Sequence, residues 1–147
     1  MLNCHDVARY FLTLMSEENG DLISNLKLQK LVYYAQGSSL ALYDKPLFSE
    51  HIEAWLHGPV IPDLYSEYEQ YNSKAIPRPQ DVNFDDYGDE VQALLNDVYS
   101  VFGQYSAWKL ANMVFEEQPW KEIYESQPGG IISLDSMKKY FSAHIVQ

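Results

Sequence analysis

The chain has 147 residues, 46% of them hydrophobic, and a formal net charge of −11 at pH 7. That length suits one domain with one core, and that apolar fraction excludes a disordered chain. No apolar run approaches the roughly 18 residues that span a bilayer, no export signal stands at the N-terminus, and Cys4 is the only cysteine, so the expected setting is cytoplasmic, with no membrane partner.

The acidity is uneven. Counting Lys and Arg against Asp and Glu, residues 1–60 carry about −3, residues 61–100 about −7 and residues 101–147 about −1. Asp81, Asp85, Asp86, Asp89 and Glu90 make the acidic middle. Phosphate backbones need the opposite sign, so direct nucleic-acid binding is disfavoured, whereas a basic partner would be steered in. The plainer reading of the same charge is solubility.

The helical period dominates from the start. Asn3 is a candidate cap with Asp6 in the first turn, and Val7, Tyr10, Phe11 and Leu14 recur on one face. Gly20-Asp21 breaks this helix. Ser24 or Asn25 caps a second one running to about Tyr43, with Leu28, Leu31, Val32, Ala35 and Leu42 as its core stripe. Gly37 inside it points to close packing or a kink. Asp44-Lys45-Pro46 ends it.

Residues 48–57 alternate loosely, with Ile52, Ala54 and Leu56 on one side and Glu53, Trp55 and His57 on the other, which predicts a short extended element. Gly58-Pro59 signals a turn, and Pro62 opens a helix through about Tyr71. Residues 72–88 read as a long surface loop. Val91, Leu94, Leu95, Val98 and Phe102 form the next apolar stripe, ending at Gly103. Ser106 caps a helix with Ala107, Leu110, Ala111 and Val114 inward, which Pro119 stops. Trp120 begins a short piece to Glu125. After the Pro128-Gly129-Gly130 loop, Ser133 caps a last helix carrying Leu134, Met137, Phe141 and Ile145. The expected fold is mainly α: one helical domain over residues 1–147, with five to seven helices and at most a small β element near residues 48–57.

Catalytic chemistry finds few candidates. His5, His51, His57 and His144 lack zinc-ligand spacing, so neither metal nor cofactor is expected. Cys4 has no recognisable base beside it and reads as a small buried residue. Glu116-Glu117 and Glu122–Glu125 read as polar helix faces. The absence of a reactive constellation favours a binding protein over an enzyme.

Aromatic residues carry more information. Tyr33 and Tyr34 are neighbours on one helix and point about 100° apart, so both cannot face the core. With Tyr33 inward, Lys27, Lys30 and Tyr34 fall at i, i+3 and i+7 as an exposed basic-aromatic strip. That strip, with Trp55 and the Gly58-Pro59 turn, is the predicted partner-binding surface, because large aromatics beside a rigid turn make good anchors. The competing reading is that these rings finish a small core and that the glycine and prolines only shape the turn.

Residues 26–37 (Leu-Lys-Leu-Gln-Lys-Leu-Val-Tyr-Tyr-Ala-Gln-Gly), Pro46-Leu47-Phe48, and residues 52–65 (Ile-Glu-Ala-Trp-Leu-His-Gly-Pro-Val-Ile-Pro-Asp-Leu-Tyr) resemble the Panacea domain of SocA-like antitoxins and GepA-like phage-associated proteins. The likeness is specific over about residues 24–66 and weaker from Leu110 to Trp120. There the chain keeps Leu110, Pro119 and Trp120 but has Val114-Phe115 where the family pattern has Thr-His. The resemblance implies a helical, non-enzymatic antitoxin that neutralises, by direct contact, a cognate toxin encoded beside it. It also brings in a cytoplasmic protease, since one member delivers its toxin to such an enzyme as an adaptor. From charge alone, a different expectation is an acidic decoy that mimics nucleic acid and occupies a DNA-binding enzyme.

Overall fold

The computed structural model describes residues 1–15 and 22–144, so the expected break at Gly20-Asp21 and the place of Ile145 lie outside the described residues. Among the described residues the protein is mainly α. Seven helices, α1 (Cys4–Leu14), α2 (Asn25–Tyr43), α3 (Pro62–Tyr68), α4 (Asp89–Phe102), α5 (Ala107–Phe115), α6 (Gln118–Ser126) and α7 (Leu134–His144), accompany a two-stranded hairpin of β1 (Glu53–Trp55) and β2 (Gly58–Val60). Short 3-10 turns at Glu69–Tyr71 and Phe84–Asp86 complete the order.

Helix starts follow local chemistry. Asn3 and Asp6 form a reciprocal capping box: Asp6 N–H donates to Asn3 Oδ1 at 2.8 Å and Asn3 N–H to Asp6 Oδ2 at 3.0 Å. The hydroxyls of Ser24, Ser106 and Ser133 accept from the backbone N–H three residues on, at 3.3, 3.1 and 3.0 Å. Asp44, left-handed at φ 56°, closes α2 by donating its N–H to Leu40 O. Pro119 does not stop α5, as its sequence position suggested. That helix has already ended at Phe115, and Pro119 sits in the first turn of α6, where its missing N–H has no partner to lose.

The organising element is α2. Every residue from Lys27 to Leu40 is buried, and α1, α3, α4, α5, α7 and β2 all pack against it. It therefore lacks the single apolar stripe expected of it, and Leu42, placed in that stripe, is 47% exposed near the helix end. A helix surrounded on all sides must satisfy its polar residues through tertiary partners. Gln29 Oε1 accepts from Ile61 N–H at 2.9 Å, and its Nε2 donates to Asn25 Oδ1. Gln36 accepts from Leu47 N–H at 2.7 Å and donates to Phe48 O at 2.9 Å. At Gly37 a Cβ would overlap the Phe141 ring of α7, so the glycine serves packing.

Candidate functional site

The residues expected to meet a partner fall into two groups. Lys27, Lys30 and Tyr34 do not form an exposed strip; they are 5%, 1% and 0% exposed. The expectation failed because α4, α5 and α7 cover the face of α2 that a single-stripe helix would leave to water. Lys27 Nζ donates to Gly103 O at 2.6 Å. Tyr34 stacks on Phe102 at 3.9 Å with the rings 3° from parallel, and its hydroxyl donates to Glu117 Oε2 at 2.7 Å. Both tyrosines of the pair go inward, Tyr33 packing edge-on against Phe141.

Burial perturbs these groups. Lys30 makes a long hydrogen bond to Leu26 O at 3.4 Å, and burial lowers its pKa from 10.5 to about 8. Glu117, read from sequence as part of a solvated face, is 7% exposed. Burial raises its pKa from 4.5 to about 7, against the opposing pull of the Tyr34 hydroxyl. Tyr34 and Tyr33 are themselves raised, first by burial and then by the Glu117 charge. Tyr33 Oη and Glu117 Oε1 have no hydrogen-bond partner among the described residues. The Cys4 thiol is buried and raised to about 12, which makes it a poor nucleophile.

The second group is the hairpin. Its strands pair Glu53 with Val60, Ala54 with Pro59 and Trp55 with Gly58, so Gly58 and Pro59 lie in β2 and the turn is Leu56-His57. This corrects the expected turn at Gly58-Pro59. Gly58 leaves the turn at φ +119°, a conformation that L side chains rarely adopt, and a Cβ there would also stand 3.3 Å from Lys30 Cε. Both residues are buried and shape the hairpin from beneath. The turn pushes Leu56 outward to 65% exposure, although Ile52 and Ala54 point inward as the alternation predicted. Trp55 is half-buried, edge-on to Tyr65 at 5.1 Å, and its Nε1–H donates to Glu53 Oε1 at 2.8 Å. Glu53 also meets His51 Nε2 at 2.8 Å, and the two contacts, Trp55 first, lower its pKa.

The hairpin is held at several points. Gln36 and Gln29 tie residues 47, 48 and 61 to α2. Ala54 exchanges backbone bonds with Gly129 and Gly130, and Trp120 Nε1–H donates to Trp55 O at 2.8 Å. The exposed tip, Trp55-Leu56-His57, is thus presented by a rigid base. Where the family pattern has Thr-His, Val114 is fully buried and Phe115 packs against Trp120 at 4.9 Å.

Among the described residues no group of three or more His, Cys, Asp or Glu could hold a metal ion, and no helix is long and apolar enough to cross a membrane. The features on display define a mainly α protein in which one central helix, buried from Lys27 to Leu40, carries a pinned hairpin. Residues 28–121, more than half the chain, match the Antitoxin SocA-like, Panacea domain, and the chain belongs to that family. It is 44% identical over 54 residues to "Antitoxin SocA" of Caulobacter vibrioides (strain NA1000 / CB15N), a match covering 37% of this chain and 29% of that relative. The chain therefore spans under a third of that relative's length in alignment. No solved structure matches the chain.

Proposed function

We propose that this protein is a cytoplasmic, non-enzymatic antitoxin that neutralises a cognate toxin, encoded beside it, by direct protein–protein contact. Membership of the SocA-like antitoxin family is the observation that carries the reading. The geometry supports it with a solvent-facing tip, Trp55-Leu56-His57, on a base fixed by Gln29, Gln36 and Trp120. A preformed anchor loses little entropy on binding. Gly58, Pro59 and Lys30 act here by shaping that tip, and Tyr34 and Lys27 by holding α2 in place.

Co-expression with the tagged product of the neighbouring reading frame tests this. The antitoxin should restore growth and be retained on the tag. Trp55→Ala and Leu56→Asp should each weaken retention by roughly 1–3 kcal/mol, Leu56→Asp with the unfolding midpoint near wild type and Trp55→Ala with a lowered midpoint, because Trp55 also packs on Tyr65. Failure of the wild-type chain to bind or protect would reject the antitoxin reading. Wild-type retention by both variants would move the contact away from the hairpin.

A further inference from the structure

A second surface lies between α2, α4 and α7, apart from the hairpin. It is a groove of about 350 Å³ whose apolar lining includes Leu42, Leu94, Val98, Val101 and Phe102. Leu94, Val98 and Phe102 are buried and form its floor, while Leu42 and Val101 stand 47% and 50% exposed on its walls. The floor is stiff, because Phe102 is stacked face to face on the fully buried Tyr34. That volume accommodates one or two large side chains rather than a whole element.

Two polar features narrow the occupant. Ser38 lines the groove, is 2% exposed, and its hydroxyl has no hydrogen-bond partner among the described residues. A buried hydroxyl in that state gains from a partner that brings one. Asp97 and His144 complete the lining, which contains no lysine or arginine. Asp97 thus places a carboxylate at the rim above an apolar floor.

We infer that this groove seats a bulky aliphatic or aromatic anchor from a Lys/Arg-flanked segment of the toxin, with the cation over Asp97 and a polar group on Ser38. The inference rests on the antitoxin reading and names the chemistry of a contact additional to the hairpin. Apolar burial in the groove sets residence time, and the Asp97 carboxylate acts mainly on association rate.

The test uses the full chain and the tagged product of the neighbouring reading frame. Wild type, Val101→Asp, Val101→Ser, Asp97→Lys and Ser38→Ala are compared by retention and binding kinetics at low and high salt, beside urea unfolding. Val101 and Asp97 are exposed, so these variants are expected to fold; Val101→Ser gives a milder probe should the aspartate unfold the chain. Val101→Asp should cost about tenfold or more in affinity, chiefly through faster dissociation. Asp97→Lys should slow association several-fold at low salt, with the effect shrinking at high salt. If folded Val101 and Asp97 variants bind as wild type does, the groove assignment is overturned and the antitoxin reading stands. Failure of the wild-type chain to bind overturns both. Dimers in sedimentation that Val101→Asp dissociates would also overturn it, because a second copy of the chain then fills the groove.

Discussion

Lys30→Met should make the protein more stable at neutral pH, although it removes a charged residue from the most specific stretch of the sequence. Lys30 is 1% exposed, and among the described residues its ammonium has only the 3.4 Å bond to Leu26 O. That carbonyl is the one the α-helical ladder already engages, so deleting the ammonium orphans no acceptor. Methionine keeps an unbranched stem against Gly58. A pKa lowered from 10.5 to about 8 corresponds to roughly 3 kcal/mol of destabilisation wherever the lysine is charged in both states. The folded value lies below the unfolded one, so between pH 8 and 10.5 the unfolded chain binds more protons and wild-type stability rises with pH. The gain from Lys30→Met is thus up to about 3 kcal/mol at pH 7 and shrinks to about 1 kcal/mol at pH 9.5. Urea unfolding followed by circular dichroism at those two pH values reads it; higher pH is avoided because tyrosines ionise in the unfolded chain. A Met variant less stable than wild type at pH 7, or a difference unchanged between the two pH values, would refute the reasoning.

Glu117 gives the opposite slope. Its pKa is raised from 4.5 to about 7, so its stabilising contribution is complete below pH 4.5 and is lost, by roughly 3 kcal/mol, as pH rises through 7. Glu117→Gln should match wild type near pH 4.5 and exceed it at pH 7.5; parallel pH–stability curves would contradict this. Gly37→Ala should lose about 1–3 kcal/mol despite better helix propensity, because the new methyl meets the Phe141 ring at 2.4 Å and that ring is fully buried. Equal or higher stability in thermal unfolding would show that α7 yields there. Tyr34→Ala should cost about 3–5 kcal/mol by removing the ring stacked on Phe102, with Tyr34→Phe costing about 1–2 kcal/mol for the hydroxyl bond to Glu117. Wild-type stability in Tyr34→Ala would restore the exposed-strip reading.

Local chemistry was legible and tertiary burial was not. Asn3, Ser24, Ser106 and Ser133 mark helix starts through bonds made within three residues, so sequence spacing suffices to find them. The apolar spacing on α4 predicted its buried face for the same reason, with Leu94, Leu95, Val98 and Phe102 all inside. α2 defeats this logic because Lys27, Gln29 and Gln36 find partners at Gly103, Ile61 and Phe48, far along the chain. A signal was present all the same. Residues 31–40 (Leu-Val-Tyr-Tyr-Ala-Gln-Gly-Ser-Ser-Leu) carry no charge, and ten neutral residues in a helix leave no face that must meet water. At the hairpin, the two-residue alternation placed Ile52 and Ala54 correctly and failed at Leu56, where the chain turns and the period ends. Glu117 was missed because adjacent Glu116 and Glu117 look alike in sequence, whereas only Glu117 faces α2.

The burial of α2 changes what the most recognisable stretch of this chain is for. Residues 27–37 are all buried, since α1, α3, α4, α5, α7 and β2 pack around α2. Their polar atoms instead hold the segments that do reach solvent. Gln36 fixes Leu47 and Phe48, Gln29 fixes Ile61, and the Lys30 stem underlies Gly58, so the hairpin hangs from one helix before its first strand, at the start of its second and just after it. Such an arrangement separates two kinds of substitution. Destabilising changes among the buried residues 27–37 reach binding by loosening the hairpin, and they should raise dissociation and unfolding together. Changes at Leu56, or at Val101 in the groove, delete contact area from positions already half in water, and they should alter binding with the unfolding midpoint fixed.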